Sequence, residues 1–399
     1  MLKFWYIYQH ALALMKPKEK IHFPNLDALR CISALLIVII HAEALKLNHG
    51  GEVISWLFYF ESWGDIDVTL FFTLSGFLIT FLLLREKRDT GSINLKDFYI
   101  RRVLKIWPLY YLIMIIGFFI LPWLGHNYYG EYSRDMGHHF WKEWLGYMLF
   151  IPPLLMVGSG LPESMGPTWT IRVEELFYFF WPVIIRKSNN FLKTATIIII
   201  AVVGIRELTV AAGYLFKDNP YYFIRITALA KLFLQYRISC MAIGGIAAYL
   251  VVYDYQKKLL FLYRKDVQII TYSILAILLF ARIEIPFVKH EIYAALFAYL
   301  ILNLGTNPKS IIYINYKVMS YLGTLAYGIY MYHPIMRILS MEMIKSWFGR
   351  AISGWQMEVI YYAMTIGSTI LVSIVSYKLI EKPFLNLKKK FSFINSSVK

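Results

Sequence analysis

The feature that most constrains the fold is the recurrence, along nearly the whole chain, of apolar stretches of about 17–23 residues. As a helix, a stretch of that length covers the roughly 30 Å hydrocarbon layer of a bilayer. It also satisfies its own backbone N–H and C=O groups where no water can. About ten such runs can be marked, near residues 29–45, 68–84, 106–123, 170–185, 195–213, 230–252, 267–282, 291–304, 319–339 and 358–379. Composition agrees: 58% of residues are hydrophobic and 17% charged, against about a quarter charged in soluble domains. The expected fold is all-α and integral to the membrane, a single bundle of about ten transmembrane helices.

The net charge of +16 orients this bundle. Lys and Arg crowd the N-terminal segment, Arg85 to Lys105, Arg186 to Lys193, Lys257 to Lys265, and the tail with Lys388, Lys389 and Lys390. The alternate loops 46–67, 124–168, 214–229, 283–290 and 340–357 are sparse in them. That is the positive-inside pattern, so both termini are expected in the cytoplasm. The charge suits anionic lipid headgroups and does not argue for nucleic acid. Residues 1–28 form an N-terminal segment with no cleavable signal; their aromatics and Lys16, Lys18 and Lys20 fit an amphipathic helix on the membrane surface. Cys31 and Cys240 read as packing residues, and no metal-site spacing occurs. The 124–168 loop, with His126, His138 and His139, is long for a connector, which is more often a mark of function.

Ionisable residues within apolar runs are costly and usually face a cavity or a partner. In LDALRCISALLIVIIHAEAL, Arg30 and His41 have ten residues between them. On a helix they share a face about 16 Å apart. A guanidinium suits phosphates, and a neutral imidazole suits a general base. Taken alone, the pair is more simply an interfacial anchor and a hydrogen-bonded packing residue. Ser75 and Gly76 in FFTLSGFLI let another helix or a ligand approach the backbone. Arg101, Arg102 and Lys105 fit either a membrane anchor or a clamp for a polyphosphate. In GPTWTIRVEELFYFFWP, one of Glu174 and Glu175 is expected to pair with Arg172 while the other turns inward, and a His41–Glu174 contact would orient the imidazole. Arg237 interrupts the sixth run, and His333 is poised between substrate binding and a cross-bundle hydrogen bond. Glu381, Lys382 and Pro383 read as a helix stop.

As a set, these motifs resemble the transmembrane acyltransferase family three, bacterial membrane O-acyltransferases that modify envelope glycans and some small molecules. LDALR through His41 matches its opening; Phe71, Phe72, Ser75 and Gly76 its second span; Arg101, Arg102, Pro108 and Tyr110 its basic third-span motif. Trp169, Val173, Glu174, Phe177 and Tyr178 match a fourth motif, and Tyr327, Tyr330, His333, Pro334 and Glu381 to Phe384 the last two. The matches keep the family's order along nearly the whole chain. Lys105 departs from the family's third Arg, Arg172 from a small residue, and Asp65 and Asp67 from Gly and apolar residues.

The resemblance implies an acyltransferase in the bacterial cytoplasmic membrane, with residues 29–385 as its domain and 386–399 as a basic cytoplasmic tail. It implies acyl-CoA, in the first place acetyl-CoA, as co-substrate, no permanently bound cofactor or metal, and an envelope glycan or its lipid-linked precursor as acceptor. Arg30, Arg101, Arg102 and Lys105 would bind the donor. His41, with Glu174, would either act as base or carry the acyl group. Ser75, Gly76, Trp169, Tyr178, Arg237 and His333 would line the acceptor side or the cavity. The short tail implies no fused soluble domain. A transporter or flippase of a lipid-linked or anionic substrate is the rival reading, set back by the lack of inverted repeats; a small-molecule acyltransferase is a third.

Overall fold

The computed structural model describes residues 22–48, 54, 61–123, 136–151, 163–253, 255–283, 285–349 and 354–391. Among these, every regular element is a helix. In chain order they are α1 (Pro24–Asn48), α2 (Glu61–Thr90), α3 (Leu95–Ile115), α4 (Met136–Met148), α5 (Thr168–Lys187), α6 (Phe191–Leu215), α7 (Pro220–Gln235) and α8 (Ile238–Val252). Then follow α9 (Gln256–Leu262), α10 (Lys265–Phe280), α11 (Lys289–Thr306), α12 (Lys317–Thr324), α13 (Ala326–Phe348), α14 (Trp355–Ser376) and α15 (Lys382–Lys388). A wide π turn, Ile116–Ile120, carries α3 on to Leu121–Trp123, and a second, Tyr377–Glu381, joins α14 to α15.

Six stretches of the described chain are long and apolar enough to cross a membrane: Asn25–Leu47, Ser62–Thr90, Leu95–Trp123, Phe191–Leu215, Tyr221–Val252 and Trp355–Phe391. They contain six of the expected runs. The other four are helical as well, in α5, α10, α11 and α12–α13. However, α10 has only 16 residues, and α5, α11 and α13 carry charges such as Arg172, Glu291 and Arg337. Several expected boundaries move. α1 begins at Pro24 rather than 29, and much of the 214–229 loop is the helix α7. Part of 124–168 folds as α4, which packs Tyr147 against Met114, Phe118 and Met165. The proposed surface helix before Lys20, and His126, lie outside the described residues.

Burial sorts the helices into a centre and a rim. In α2, 78% of the apolar window is buried; in α6 only 17% is, and Ile197, Ile200, Ile205 and Leu208 lie bare on its outer face. An apolar helix exposed in this way suits lipid rather than water. α2 crosses α8 at backbone contact: a Cβ on Gly76 would stand 2.0 Å from the Met241 carbonyl oxygen, and one on Gly244 2.0 Å from that of Thr73. Such small-residue seams replace hydrophobic driving force inside a membrane. Gly323 of α12 meets α1 in the same way, at the Asp27 carbonyl oxygen.

Buried charges are largely matched across helices, as the cost of stranding one requires. Lys46 on α1 lies 2.7 Å from Glu43 and 2.5 Å from Glu358 of α14. Arg206 of α6 reaches Glu291 of α11 at 3.0 Å. The break between α7 and α8 falls at Tyr236 and Arg237, where Arg237 pairs with Asp65 and donates to Thr69 Oγ1 at 3.0 Å.

Candidate active site

A cavity of about 300 Å³ lies among α1, α2, α3, α5, the α12–α13 junction and the chain after α14. Each helix turns one stripe toward it. From the start of α1 and the residue before it come Phe23, Leu26, Asp27 and Arg30; from α2, among others, Val68, Phe71, Phe72 and Ser75; from α5, Thr170, Ile171, Glu174 and Tyr178. The first two sets follow the i, i+3, i+4, i+7 spacing of a single helical face, and Thr170, Glu174 and Tyr178 follow i, i+4, i+8. From α3 only Arg102, Lys105 and Ile106 take part.

The start of α3 is fixed by its cap. Asn94 accepts from the Asp97 N–H at 3.2 Å, and the Asn94 N–H donates to Glu86 at 2.8 Å. Glu86 also takes Arg101 at 3.3 Å, and Arg101 donates to the Phe391 carbonyl at 2.7 Å. Neighbouring residues on a helix point about 100° apart, so binding Arg101 to Glu86 leaves Arg102, with Lys105 three positions on, for the cavity. Arg101 is therefore not a cavity residue, contrary to the sequence expectation.

The cavity is basic at this end. Arg102 lies over the rings of Phe98 and Tyr178, at 5.5 and 5.6 Å, with no ion pair among the described residues. Lys105 is exposed into the cavity and likewise has no ion pair among them. Arg30 is held by Asp27 at 2.5 Å. Lys388 of α15 lines the same space, close enough to Arg30, Arg102 and Lys105 to repel them. Mid-cavity, Ser75 donates to the Tyr178 oxygen at 2.5 Å and Tyr178 donates to Glu174 at 3.0 Å.

Beyond the cavity stands a pair of histidines. His41 Nδ1 and His333 Nε2 are 2.9 Å apart, and Arg337 donates to the His41 carbonyl at 2.5 Å. Neither imidazole lines the cavity. Tyr330 does, with its ring 5.8 Å from that of His333. α1 is unbroken from Pro24 to Asn48, so His41 lies about 16 Å along it from Arg30.

Other expectations are corrected. Glu174 does not bond His41: it sits at the depth of Lys105 and Arg102, and His41 takes His333 instead. Arg172 pairs with neither glutamate, since its guanidinium lies 4.3 Å over the Tyr147 ring and donates to the Ile151 carbonyl. Glu175 accepts from the Trp107 indole at 3.2 Å. Gly76 serves the α2–α8 seam, Arg237 clamps Asp65, and Trp169 packs edge-on to Phe72 at 6.2 Å; none of the three lines the cavity. Glu381 is no helix stop, for the chain continues into α15 and Glu381 faces the cavity. Among the cavity residues missed as site residues were Asp27, Thr170, Tyr330, Glu381 and Lys388. Asp27 stands three positions before Arg30, a spacing that already allowed the pair; nothing in the sequence marks Lys388 off from its basic neighbours.

Residues 23–378 match a family model described as an acyltransferase domain. The chain is 23% identical to the peptidoglycan O-acetyltransferase OatA of Listeria monocytogenes over 392 residues, covering 94% of this chain and 57% of that protein. It is also 23% identical to the O-acetyltransferase OatA of Staphylococcus aureus over 398 residues, 94% of this chain and 59% of the relative. It thus spans somewhat over half the length of these relatives. No solved structure matches it. The motifs recur in one order and the family model spans nearly every helix of this membrane bundle, so the chain belongs to that acyltransferase family.

Proposed function

We propose that this protein is an O-acetyltransferase that takes an acetyl group from cytosolic acetyl-CoA and passes it to a hydroxyl of an envelope glycan, peptidoglycan before others. The observation that carries the reading is the cationic end of the cavity. Arg102 and Lys105 stand there with no ion pair among the described residues, beside Arg30 and Lys388, and such a cluster favours a polyphosphate. The Listeria relative, a peptidoglycan O-acetyltransferase, supports the acceptor class.

In this reading the phosphates of the donor rest on the basic end and its thioester points toward the histidines. If His41 Nδ1–H donates to His333 Nε2, the free lone pair of His41 is on Nε2. That atom takes the proton of the acceptor hydroxyl as its oxygen attacks the thioester carbonyl. The C–S bond breaks, and the CoA thiolate leaves and is protonated by the imidazolium. His333 thereby orients the base, as a carboxylate does in other sites. A covalent acyl-His41 route uses the same contacts.

The test is transfer from acetyl-CoA to peptidoglycan strands by the full chain in vesicles, read by mass spectrometry. His41→Ala should reduce transfer by at least about 10²-fold, within the range for loss of a general base, while the chain still inserts. Retained transfer removes His41 from the mechanism. Movement of glycan precursor with no release of CoA thiol would instead support a transporter.

A further inference from the structure

The cavity lining stops short of the histidine pair, and Phe71, Thr170 and Tyr330 are among its residues. Phe71 and Tyr330 both line it, with ring centroids 5.9 Å apart. Tyr330 donates to the Thr170 hydroxyl at 2.9 Å, and Thr170 in turn donates to the Pro167 carbonyl at 2.9 Å. Each hydroxyl therefore has its proton assigned, and the Tyr330 ring is pinned between α5 and the helix that carries His333. The same ring lies 5.8 Å from that of His333. Tyr330 thus joins the cavity lining to the histidine pair by direct ring contact.

We propose that Phe71 and Tyr330, latched by Thr170, form a size filter that restricts the transferred group to a short acyl chain; the inference rests on the acyl-transfer reading above. A thioester carbonyl can reach the histidines only if its acyl tail finds room beside the two rings. In this filter a two-carbon tail passes with the latch closed, whereas a four-carbon tail needs the Tyr330 ring to turn. A six-carbon tail needs the space that the Phe71 ring now fills. Close packing makes such a boundary sharp, because a filled volume cannot be shared. The latch adds a second control, since turning the Tyr330 ring breaks its bond to Thr170.

The experiment compares acetyl-, butyryl- and hexanoyl-CoA as donors, with peptidoglycan strands as acceptor and the full-length chain in vesicles. Phe71→Ala and Phe71→Leu should raise the hexanoyl-to-acetyl transfer ratio by at least about tenfold, the discrimination that a hydrophobic pocket gives for one or more methylenes. Tyr330→Phe and Thr170→Val, which keep the rings and lose the latch, should raise the butyryl-to-acetyl ratio. Ratios equal to those of the parent protein in every variant overturn the filter. So does loss of every chain length in all four, which would make these groups part of the machinery rather than a sieve. Absence of transfer from any thioester by the parent protein is a different outcome: it overturns the acyltransferase reading itself.

Discussion

Arg101 and Arg102 are adjacent in sequence and opposite in role. Arg101 is spent on Glu86 and the Phe391 carbonyl, whereas Arg102 holds its charge over two aromatic faces at the basic end of the cavity. If Arg102 binds a donor phosphate through its planar fork, Lys in its place keeps the charge and loses the second hydrogen bond. Arg102→Lys should then raise KM for acetyl-CoA about tenfold with a smaller change in kcat, since a hydrogen bond to a charged group is worth about 1.5–3 kcal/mol. Arg101→Gln should behave differently, lowering the melting temperature in detergent and leaving KM nearly as it was. Steady-state kinetics and thermal unfolding of the two variants separate the roles. The sequence showed a basic cluster but not this division, because the division depends on which residue the Asn94 cap and Glu86 turn inward. The His41–His333 bond was hidden for a related reason: its halves are 292 positions apart, and nothing local to either names the other.

At the level of elements, the α2–α8 seam is a crossing at backbone contact, and it makes a direct prediction. A methyl group at Gly76 would overlap the Met241 carbonyl, a rigid backbone atom that cannot yield as a side-chain tip can. Gly76→Ala should cost about 1–3 kcal/mol or more, the usual range for forced overpacking. Gly204→Ala on α6, whose added methyl meets nothing within 4 Å, should leave stability unchanged or raise it by about 0.5–1 kcal/mol through helix propensity. Comparing their melting temperatures in one detergent checks both. Helices were the legible part of this protein, since hydrophobic length alone led to helical chain at each expected run, although the 230–252 and 319–339 runs each divide between two helices. Their ends were not. Pro24 opens α1 early, α7 occupies an expected loop, and the chain helically continues past Glu381, because turns and tertiary contacts set these limits.

Across the whole molecule, the basic cavity end and the C-terminal helix lie together, tied by Arg101 to Phe391, while α4 lies at the other end of α3, where Tyr111 donates to the Met148 carbonyl at 3.0 Å. If the basic end faces the cytosol, a cysteine at Lys390→Cys should be shielded from an impermeant maleimide in intact cells, and one at Leu149→Cys should be labelled. The reverse pattern would invert the protein and remove cytosolic CoA as donor. The sides of the membrane were read from charge density alone, and the distribution of buried groups adds only that the two ends differ. One local detail also reaches across the assembly. The π turn at Tyr377–Glu381 inserts a residue into the helical count, so everything after it is indexed one step from where a plain helix would put it. Deleting a single residue there should swing Leu385 and Lys388 about 100° around their axis. A change of register, with no side chain altered in kind, would then carry a positive charge out of the chamber it now faces.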